Sequence, residues 1–340
     1  MKTVISFIIT LLFNTVVGIA VAPLLGVDPL WTVGASHVLS LIPKGATGFM
    51  AGLNKEIWIA EILEKFYPDW SFLREARSMD EFVDNNTINL AEAGVDPNVL
   101  VNNTTYPIPF AQRQDIPLAL PLDTYDTENT IVRNVEEIES SYSKMQSVLA
   151  GHKNALLNFF SRKAAHAYAP DADGEFTPVI KTTGAATGDG NKVITLADIL
   201  DLATRFDQVD APEGARVLVL NPSHLRQLAA EDTKLFKAFI DAGQGFDLFG
   251  FKTYKYSKTP LYNATTGAKK AFGAAPAPTT DTLASFAFVN TEVMRAQGTI
   301  EMFPRLKDPE ERGDIIGFQM RALALPFRQK YIGAIYTAKA

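Results

Sequence analysis

The stretch IVRNVEEIESSYSKMQSVLAGHKNALLNFFSRKAAHAYA, residues 131–169, decides the fold class of this chain. Its apolar stripe recurs at alternating steps of four and three, at Ile131, Val135, Ile138, Tyr142, Met145, Leu149, His152, Leu156 and Phe159. This spacing predicts one long amphipathic helix. The helix is expected to begin between Thr127 and Arg133 and to end near Ala169, because Pro170 cannot continue it. At about 1.5 Å per residue it would span on the order of 50 Å.

A coiled-coil dimer is the competing interpretation of the same stripe. Two features favour a helix packed inside one fold. Gly151 interrupts the stretch, and its second half is apolar on several sides, as in Leu156-Leu157 and Phe159-Phe160.

Residues 70–126, ahead of this helix, are rich in proline and asparagine and lack helical periodicity. Between residues 116 and 123, leucine and isoleucine alternate with proline, alanine and aspartate, which predicts a strand. Pro117 and Pro121 confine that strand to an edge or an extended arm. We therefore predict a long β-rich excursion, which leans on a partner because it has few ways to bury itself.

The second half of the chain alternates predicted helices and strands. The capping-box sequence Thr195-Leu196-Ala197-Asp198 opens a helix running to about Gln208, and a further helix begins at His224, capped by Ser223. Turn-rich or loop segments are expected at Gly184–Lys192 and Gly267–Thr282. Strands are predicted at Arg216–Leu220, Phe246–Tyr256, Ala284–Val289, Ile315–Leu325 and Lys330–Tyr336. The fold class is therefore α+β with mixed strand order.

Composition excludes several functions. The chain has 32 basic and 38 acidic residues and no dense basic run, so it is not expected to be a dedicated nucleic-acid binder. It has no cysteine, which excludes disulfides, thiolate zinc sites and cysteine nucleophiles.

The N-terminal residues 1–42 are unusually apolar, with no charge between Lys2 and Asp28. The stretch Val4–Val27 is long enough for a membrane-spanning helix, and Ala20-Val21-Ala22 imitates a signal-peptide cleavage site. Burial within a protein assembly explains the same composition. Both interpretations stay open. Residues 43–53 follow as a flexible linker, and a short helix is predicted at Asn54–Phe66.

No catalytic chemistry is indicated. Gly184, Gly188 and Gly190 do not have phosphate-loop spacing, and no nucleophile elbow is present. None of the histidines, His37, His152, His166 and His224, lies at ligand spacing from another, and His152 is expected as a hydrogen-bonded interior residue. The acidic cluster Asp308, Glu310, Glu311 and Asp314 is expected to be a solvated loop and not a cation site. The sequence therefore predicts no catalytic, cofactor-binding or metal residues, no cofactor and no enzyme.

Several short stretches carry a family resemblance. They are Asn54–Trp58 (NKEIW), Asp84–Glu92 (DNNTINLAE), Asn102–Pro107 (NNTTYP), Leu122–Thr127 (LDTYDT), Arg216–Leu228 (RVLVLNPSHLRQL) and Arg321–Ile335 (RALALPFRQKYIGAI). With the order of elements, they resemble the major capsid proteins of tailed phages of the Hong Kong 97 type (Johnson fold), in particular those of phages of Bacteroidetes-type hosts. The resemblance covers roughly residues 50–340.

This resemblance implies a domain layout. It comprises an N-terminal segment and linker (1–50) removed on maturation in some relatives, an N-arm helix (51–69), an extended E-loop (70–127), the spine helix of the peripheral domain (128–170), and an axial domain with returning peripheral strands (171–340). The region Lys44–Asn54 would be the natural cleavage site.

The resemblance also implies function and partners. Copies would tile as pentamers and hexamers into an icosahedral shell around double-stranded DNA, assembled in the host cytoplasm and located in the virion. The implied partners are the chain itself, the portal, a prohead protease, other head proteins and packaged DNA. The best interface candidates are the exposed parts of residues 70–127.

The apolar residues 1–42 depart from the charged, helical scaffolding segments of the family and leave membrane contact open. Two rivals remain: an exported or membrane-anchored bacterial protein with a β-rich binding domain, and an encapsulin-like nanocompartment shell.

Overall fold

The computed structural model describes residues 71–84, 87–92, 116–133, 144–234 and 246–340, together with the isolated residues 59, 102–104, 106, 107, 237 and 241. All elements described below lie within the unit Ile62–Ala340. The apolar residues 1–42, the linker 43–53 and the predicted helix Asn54–Phe66, apart from Ile59, lie outside the described residues.

A five-stranded sheet is built around one long hairpin. Its strands run in the order β1-β13-β14-β5, and β6 also pairs with β14. The bounds are β1 Arg77–Ser78, β5 Asp123–Asp126, β6 Thr130–Arg133, β13 Val293–Asp308 and β14 Gly313–Pro326. The β13–β14 pairing is antiparallel from Val293↔Pro326 to Asp308↔Gly313. Strand β14 confirms the strand predicted at Ile315–Leu325. Strand β13 was not predicted, because Gly298 and Pro304 interrupt its alternation.

Helix α1, Lys144–Ala167, packs against β14. The side chains of Leu149, His152 and Leu156 on its predicted stripe are buried, whereas Phe159, the last residue of that stripe, is 49% exposed and its neighbour Phe160 is buried instead. The predicted start between Thr127 and Arg133 is wrong, because residues 130–133 form β6 and pair with Gly313–Ile316. The β-branched run Thr130-Ile131-Val132 favours this strand. Gly313 admits it, since a Cβ there would lie 2.5 Å from the Val132 carbonyl oxygen. Residues 134–143 lie outside the described residues.

A seven-stranded mixed sheet forms the second body of structure, in the order β7-β15-β12-β8-β10-β9 with β11 against β12. Its strands are β7 Val179–Lys181, β8 Arg216–Leu220, β9 Phe246–Leu248, β10 Phe251–Lys255, β11 Leu261–Asn263, β12 Asp281–Val289 and β15 Ile332–Tyr336. The pairs β8–β10 and β7–β15 are parallel, and the others are antiparallel. The predicted strands at Arg216–Leu220, Phe246–Tyr256, Ala284–Val289 and Lys330–Tyr336 are confirmed with small shifts of their ends.

Helix α2, Leu196–Gln208, covers the seven-stranded sheet through Leu202 and Phe206. Its predicted capping box is confirmed: the Thr195 hydroxyl accepts from the Asp198 backbone N–H, and the Asp198 carboxylate accepts from the Thr195 N–H at 2.8 Å. An apolar core that includes Leu202, Phe206 and Phe251 lies beneath α2.

Helix α3, Pro222–Glu231, begins two residues earlier than predicted. Its N-cap is Asn221 and not Ser223, since the Asn221 Oδ1 accepts from the Ser223 N–H at 2.9 Å. Pro222 is preorganised for the first helical position, where its missing N–H has no intrahelical partner to lose.

A three-stranded antiparallel sheet forms an arm, in the order β2-β3-β4. Its strands are β2 Val83–Asp84, β3 Thr87–Glu92 and β4 Ile116–Pro121. The predicted strand at residues 116–122 is confirmed, and β4 is an edge strand as its prolines require. The β-rich excursion is shorter than the predicted range of residues 70–127. Residues 71–78 and 123–126 belong to the body, where Phe72 and Leu73 are buried and β5 pairs with β14.

Candidate functional site

The three described histidines are separated in the fold, and His37 lies outside the described residues. His152 and His166 lie on α1, and His224 lies in α3. Within the described ranges no group of three histidine, aspartate or glutamate side chains is placed to hold a metal ion. No described helix is both long and apolar enough to cross a membrane.

His224 is a completely buried titratable group of the seven-stranded body. Its Nδ1 lies 2.8 Å from the Ser285 hydroxyl and its Nε2 lies 2.8 Å from the Thr337 hydroxyl. Thr337 donates its own proton to the Leu283 carbonyl, so it accepts from His224 Nε2–H. Ser285 accepts from the Asn221 backbone N–H and donates to Nδ1. These partners assign the neutral Nε2–H tautomer.

Burial lowers the pKa of His224 to about 4, against a smaller opposing effect of the Asp198 carboxylate. A second proton at Nδ1 would take the acceptor away from the Ser285 hydroxyl. His224 therefore joins helix α3 to strands β12 and β15 as a neutral structural group.

His152 is buried as predicted, but its expected hydrogen bond is not formed, because Nε2 has no partner among the described residues. Its ring lies against Phe318 at a centroid distance of 5.2 Å. Burial lowers the pKa of His152, so it is neutral at pH 7. The ring lines a cleft of about 670 Å³ between helix α1 and the β5–β6 segment, with Tyr125, Gly151 and Phe159 among its walls.

The acidic cluster forms the turn that joins β13 to β14. The prediction of a solvated loop is wrong for Asp308, which is buried. The backbone N–H groups of Glu311 and Glu310 lower its pKa, and it forms an ion pair with Arg305. Asp308 therefore caps a tight turn, in which Arg312 adopts a positive φ of 53°.

The glycine-rich segment Gly184–Lys192 is a loop that backbone pairing holds against the C-terminal residues. Bridges join Ala186 to Lys192 and Asn191 to Lys339, and the Thr187 hydroxyl donates to the Asn191 carbonyl at 3.0 Å. Its geometry is that of the predicted turn-rich hairpin.

The arm is held at its base by an apolar cluster. Ile88 of β3 is completely buried there with Met79, Leu122, Met294 and Leu323. Phe82, which immediately precedes β2, and Tyr106 are 52% and 74% exposed. Large exposed aromatic side chains on an arm are typical of a surface that another chain covers.

A second cleft, of about 610 Å³, lies between the C-terminal half of α1 and the loops around residues 257–261 and 270–278. It contains Arg162, His166, Lys258, Lys270 and Asp281. The predicted surface loop at Gly267–Thr282 thus forms a wall of this cleft, although its last two residues belong to β12.

At the level of sequence, no protein-family model and no curated protein matches the chain. Solved structures do. The capsid of cyanophage P-SCSP1u matches at a TM-score of 0.56 with 17% identity, over 78% of this chain and 87% of that one. The mature capsid of bacteriophage PhiM1 matches at 0.55 with 12% identity, over 78% and 86%.

The chain has the Hong Kong 97 capsid fold. A virus-like particle from Pyrococcus furiosus matches in the same way, at a TM-score of 0.51 with 10% identity, over 83% of this chain and 99% of that one. The predicted α+β fold, with a β-rich arm ahead of a long helix, is confirmed, although β5 and β6 lie between the two.

Proposed function

We propose that this chain is the major capsid protein of a tailed phage. Its copies assemble as pentamers and hexamers into an icosahedral shell that encloses double-stranded DNA. The protein is located in the capsid of the virion. The observation that carries the proposal is the extent of the structural likeness, which spans 86–87% of two phage capsid chains. A structural and non-catalytic role follows from this assignment.

The domain layout is part of the proposal. The arm β2–β4 acts as the E-loop, α1 as the spine helix, the five-stranded sheet as the peripheral domain and the seven-stranded sheet as the axial domain. The residues at 1–50 would precede the mature shell protein, with cleavage in the Lys44–Asn54 region. In this layout the E-loop would comprise residues 79–122, and residues 144–167 would be the described part of the spine helix.

The arm supplies a physical reason for assembly. Its base is fixed by the Ile88 cluster, while the edge of β4 is left unpaired by the described strands. An unpaired strand edge and exposed aromatic side chains gain free energy when a neighbouring copy covers them. The arm would therefore lie over the next subunit.

The remaining partners are proposals of the same kind: a portal, a prohead protease, other head proteins, and membrane contact through residues 1–42 during assembly. A host of the Bacteroidetes type rests on the short sequence resemblances alone. The likeness to the Pyrococcus furiosus particle favours one second candidate, a nanocompartment shell. Particles purified from the native source would then contain a cargo protein instead of DNA.

Negative-stain electron microscopy of the purified full-length chain tests the proposal. We expect closed shells or capsomers. An Ile88→Asp variant should lose them, because a carboxylate in the base of the arm cannot be buried unpaired. Leu200→Asp, at a half-exposed position of α2, is the control and should fold normally. A uniformly monomeric product that is extracted only with membranes would contradict the proposal and favour the exported-protein alternative.

A further inference from the structure

Helix α1 and the segment 251–270 have an unusual charge in this acidic chain. Helix α1 contains four basic residues and no aspartate or glutamate, and the segment 251–270 contains five basic residues and again no acid. The whole chain has 32 basic and 38 acidic residues. The basic residues are Lys144, Lys153, Arg162 and Lys163 in α1, and Lys252, Lys255, Lys258, Lys269 and Lys270 in the second segment.

The fold brings these two distant segments together. The cleft of about 610 Å³ has Arg162 and His166 of α1 on one side, and Lys258 and Lys270 of the second segment on the other. We call it the basic cleft. A basic surface is thus made from two stretches neither of which is a dense basic run.

Ion pairs neutralise some of these basic side chains and leave others without a carboxylate partner among the described residues. Lys270 binds Asp281 at 2.5 Å, and Lys269 binds Asp171 at 2.8 Å. Arg162 is exposed in the cleft, and no carboxylate pairs with it within the described residues.

Lys258 is exposed in the same way and likewise has no carboxylate partner in the described part of the chain. His166 adds no charge at pH 7, because burial lowers its pKa by more than the hydrogen bond from Nε2–H to the Lys270 carbonyl, at 2.7 Å, raises it. Two uncompensated cations therefore line the cleft.

The Arg162 guanidinium is already positioned. It lies over the ring of Phe272 at 5.3 Å from the centroid, and Phe272 packs edge-on against Phe159 at 5.8 Å. Phe159 is 49% exposed. Stacking restricts the guanidinium without using its N–H donors, so the donors stay available for an anion. Arginine side chains with free N–H donors are a common source of hydrogen bonds to nucleic-acid phosphates.

We propose that the basic cleft contacts the phosphodiester backbone of DNA, with Arg162 and Lys258 each neutralising one phosphate. The contact is independent of base sequence, because the cleft presents charge and ring faces and no array of donors and acceptors matched to base edges. The inference rests on the proposed function and adds to it the surface that faces the enclosed DNA.

The test compares two charge-matched double variants of the full-length chain. Arg162→Gln/Lys258→Gln removes the two cations of the cleft. Lys181→Gln/Arg226→Gln removes one lysine and one arginine from exposed positions outside it. Binding of a mixed-sequence duplex of about 30 base pairs is followed by fluorescence anisotropy across a salt series. Each lost phosphate contact lowers the slope of log affinity against log salt by about 0.9. We expect the cleft variant to lose about 2 in slope and about 30-fold in affinity at about 0.15 M salt.

Equal slopes for the two double variants would overturn the inference. The inference would also be overturned if the cleft variant bound DNA like the wild type but no longer assembled. The cleft would then bind an acidic segment of a second copy. If the double variant unfolds, the single variant Lys258→Gln, in an exposed loop, should still lose about 1 in slope. Electron microscopy of the wild type judges the shell function separately, because the salt slope is measured on the unassembled chain.

Discussion

Acidification should destabilise this protein through one buried residue, His224. Its pKa is about 4 in the folded chain, against 6.5 in the unfolded chain. The unfolded state therefore binds the proton more tightly. The stabilising effect of neutral His224 is complete above about pH 6.5 and is lost as the pH falls towards 4. At about 1.4 kcal/mol per pKa unit, the full loss is about 3 kcal/mol, of which about 2–3 kcal/mol is lost by about pH 4.5.

Urea denaturation of the unassembled chain, followed by far-UV circular dichroism at pH 7 and pH 4.5, measures this loss. His224→Gln keeps a donor and an acceptor but cannot take up a proton in this range. Its free energy of unfolding should therefore fall by about 2–3 kcal/mol less than that of the wild type over the interval. Carboxylates whose pKa is lowered, such as Asp308 and Asp281, also stabilise the folded chain. Their contribution is lost mainly below about pH 4, so it does not obscure the comparison.

His166→Gln is the control, since His166 is only half-buried. It should change the pH dependence less than His224→Gln does. The reasoning is refuted if wild type and His224→Gln lose the same free energy of unfolding between the two pH values, because His224 would then be protonated equally in both states.

Three further substitutions test the packing. Gly333→Ala should lower stability by about 1–3 kcal/mol, because its Cβ would lie 2.9 Å from the Phe206 ring; an unchanged melting temperature would contradict this. Gly151→Ala should raise the free energy of unfolding of the isolated chain by about 0.5–1 kcal/mol, since its Cβ would meet nothing within 4 Å; a loss in the same urea titration would show that this face of α1 is occupied. Asp198→Ala should cost about 2–4 kcal/mol by urea denaturation, because it removes the carboxylate that accepts from the Thr195 N–H in the capping box and from the Thr183 hydroxyl at 2.6 Å; a cost below about 1 kcal/mol would contradict the role of the capping box.

The sequence by itself determined the elements whose signals are local. The capping box at Thr195 and Asp198 is a contact between residues three apart, so it could be recognised without the fold. The buried stripe residues Leu149, His152 and Leu156 require only helical geometry. Pro117 and Pro121 exclude β4 from the interior of a sheet whatever its neighbours are.

Tertiary structure decided what depends on distant pairing. Residues 130–133 continue the helical stripe of the sequence, yet they form a strand because β14 offers backbone partners and Gly313 leaves room for them. Strand β13 becomes regular only through its pairing with β14, which accommodates Gly298 at a register shift and keeps Pro304 in register with Ile316. Local propensity is weaker than a long ladder of hydrogen bonds with a buried face.

The same distinction holds for the surfaces. No run of sequence near Arg162 or Lys258 is densely basic, and the two residues are almost a hundred positions apart. Their joint charge exists only because the loops after β10 fold against the C-terminal half of α1. The electrostatic potential at a surface depends on which charges lie close in space, and not on how close they are along the chain. Composition and spacing determined the fold class, whereas only the tertiary structure determined where this acidic chain has a basic surface.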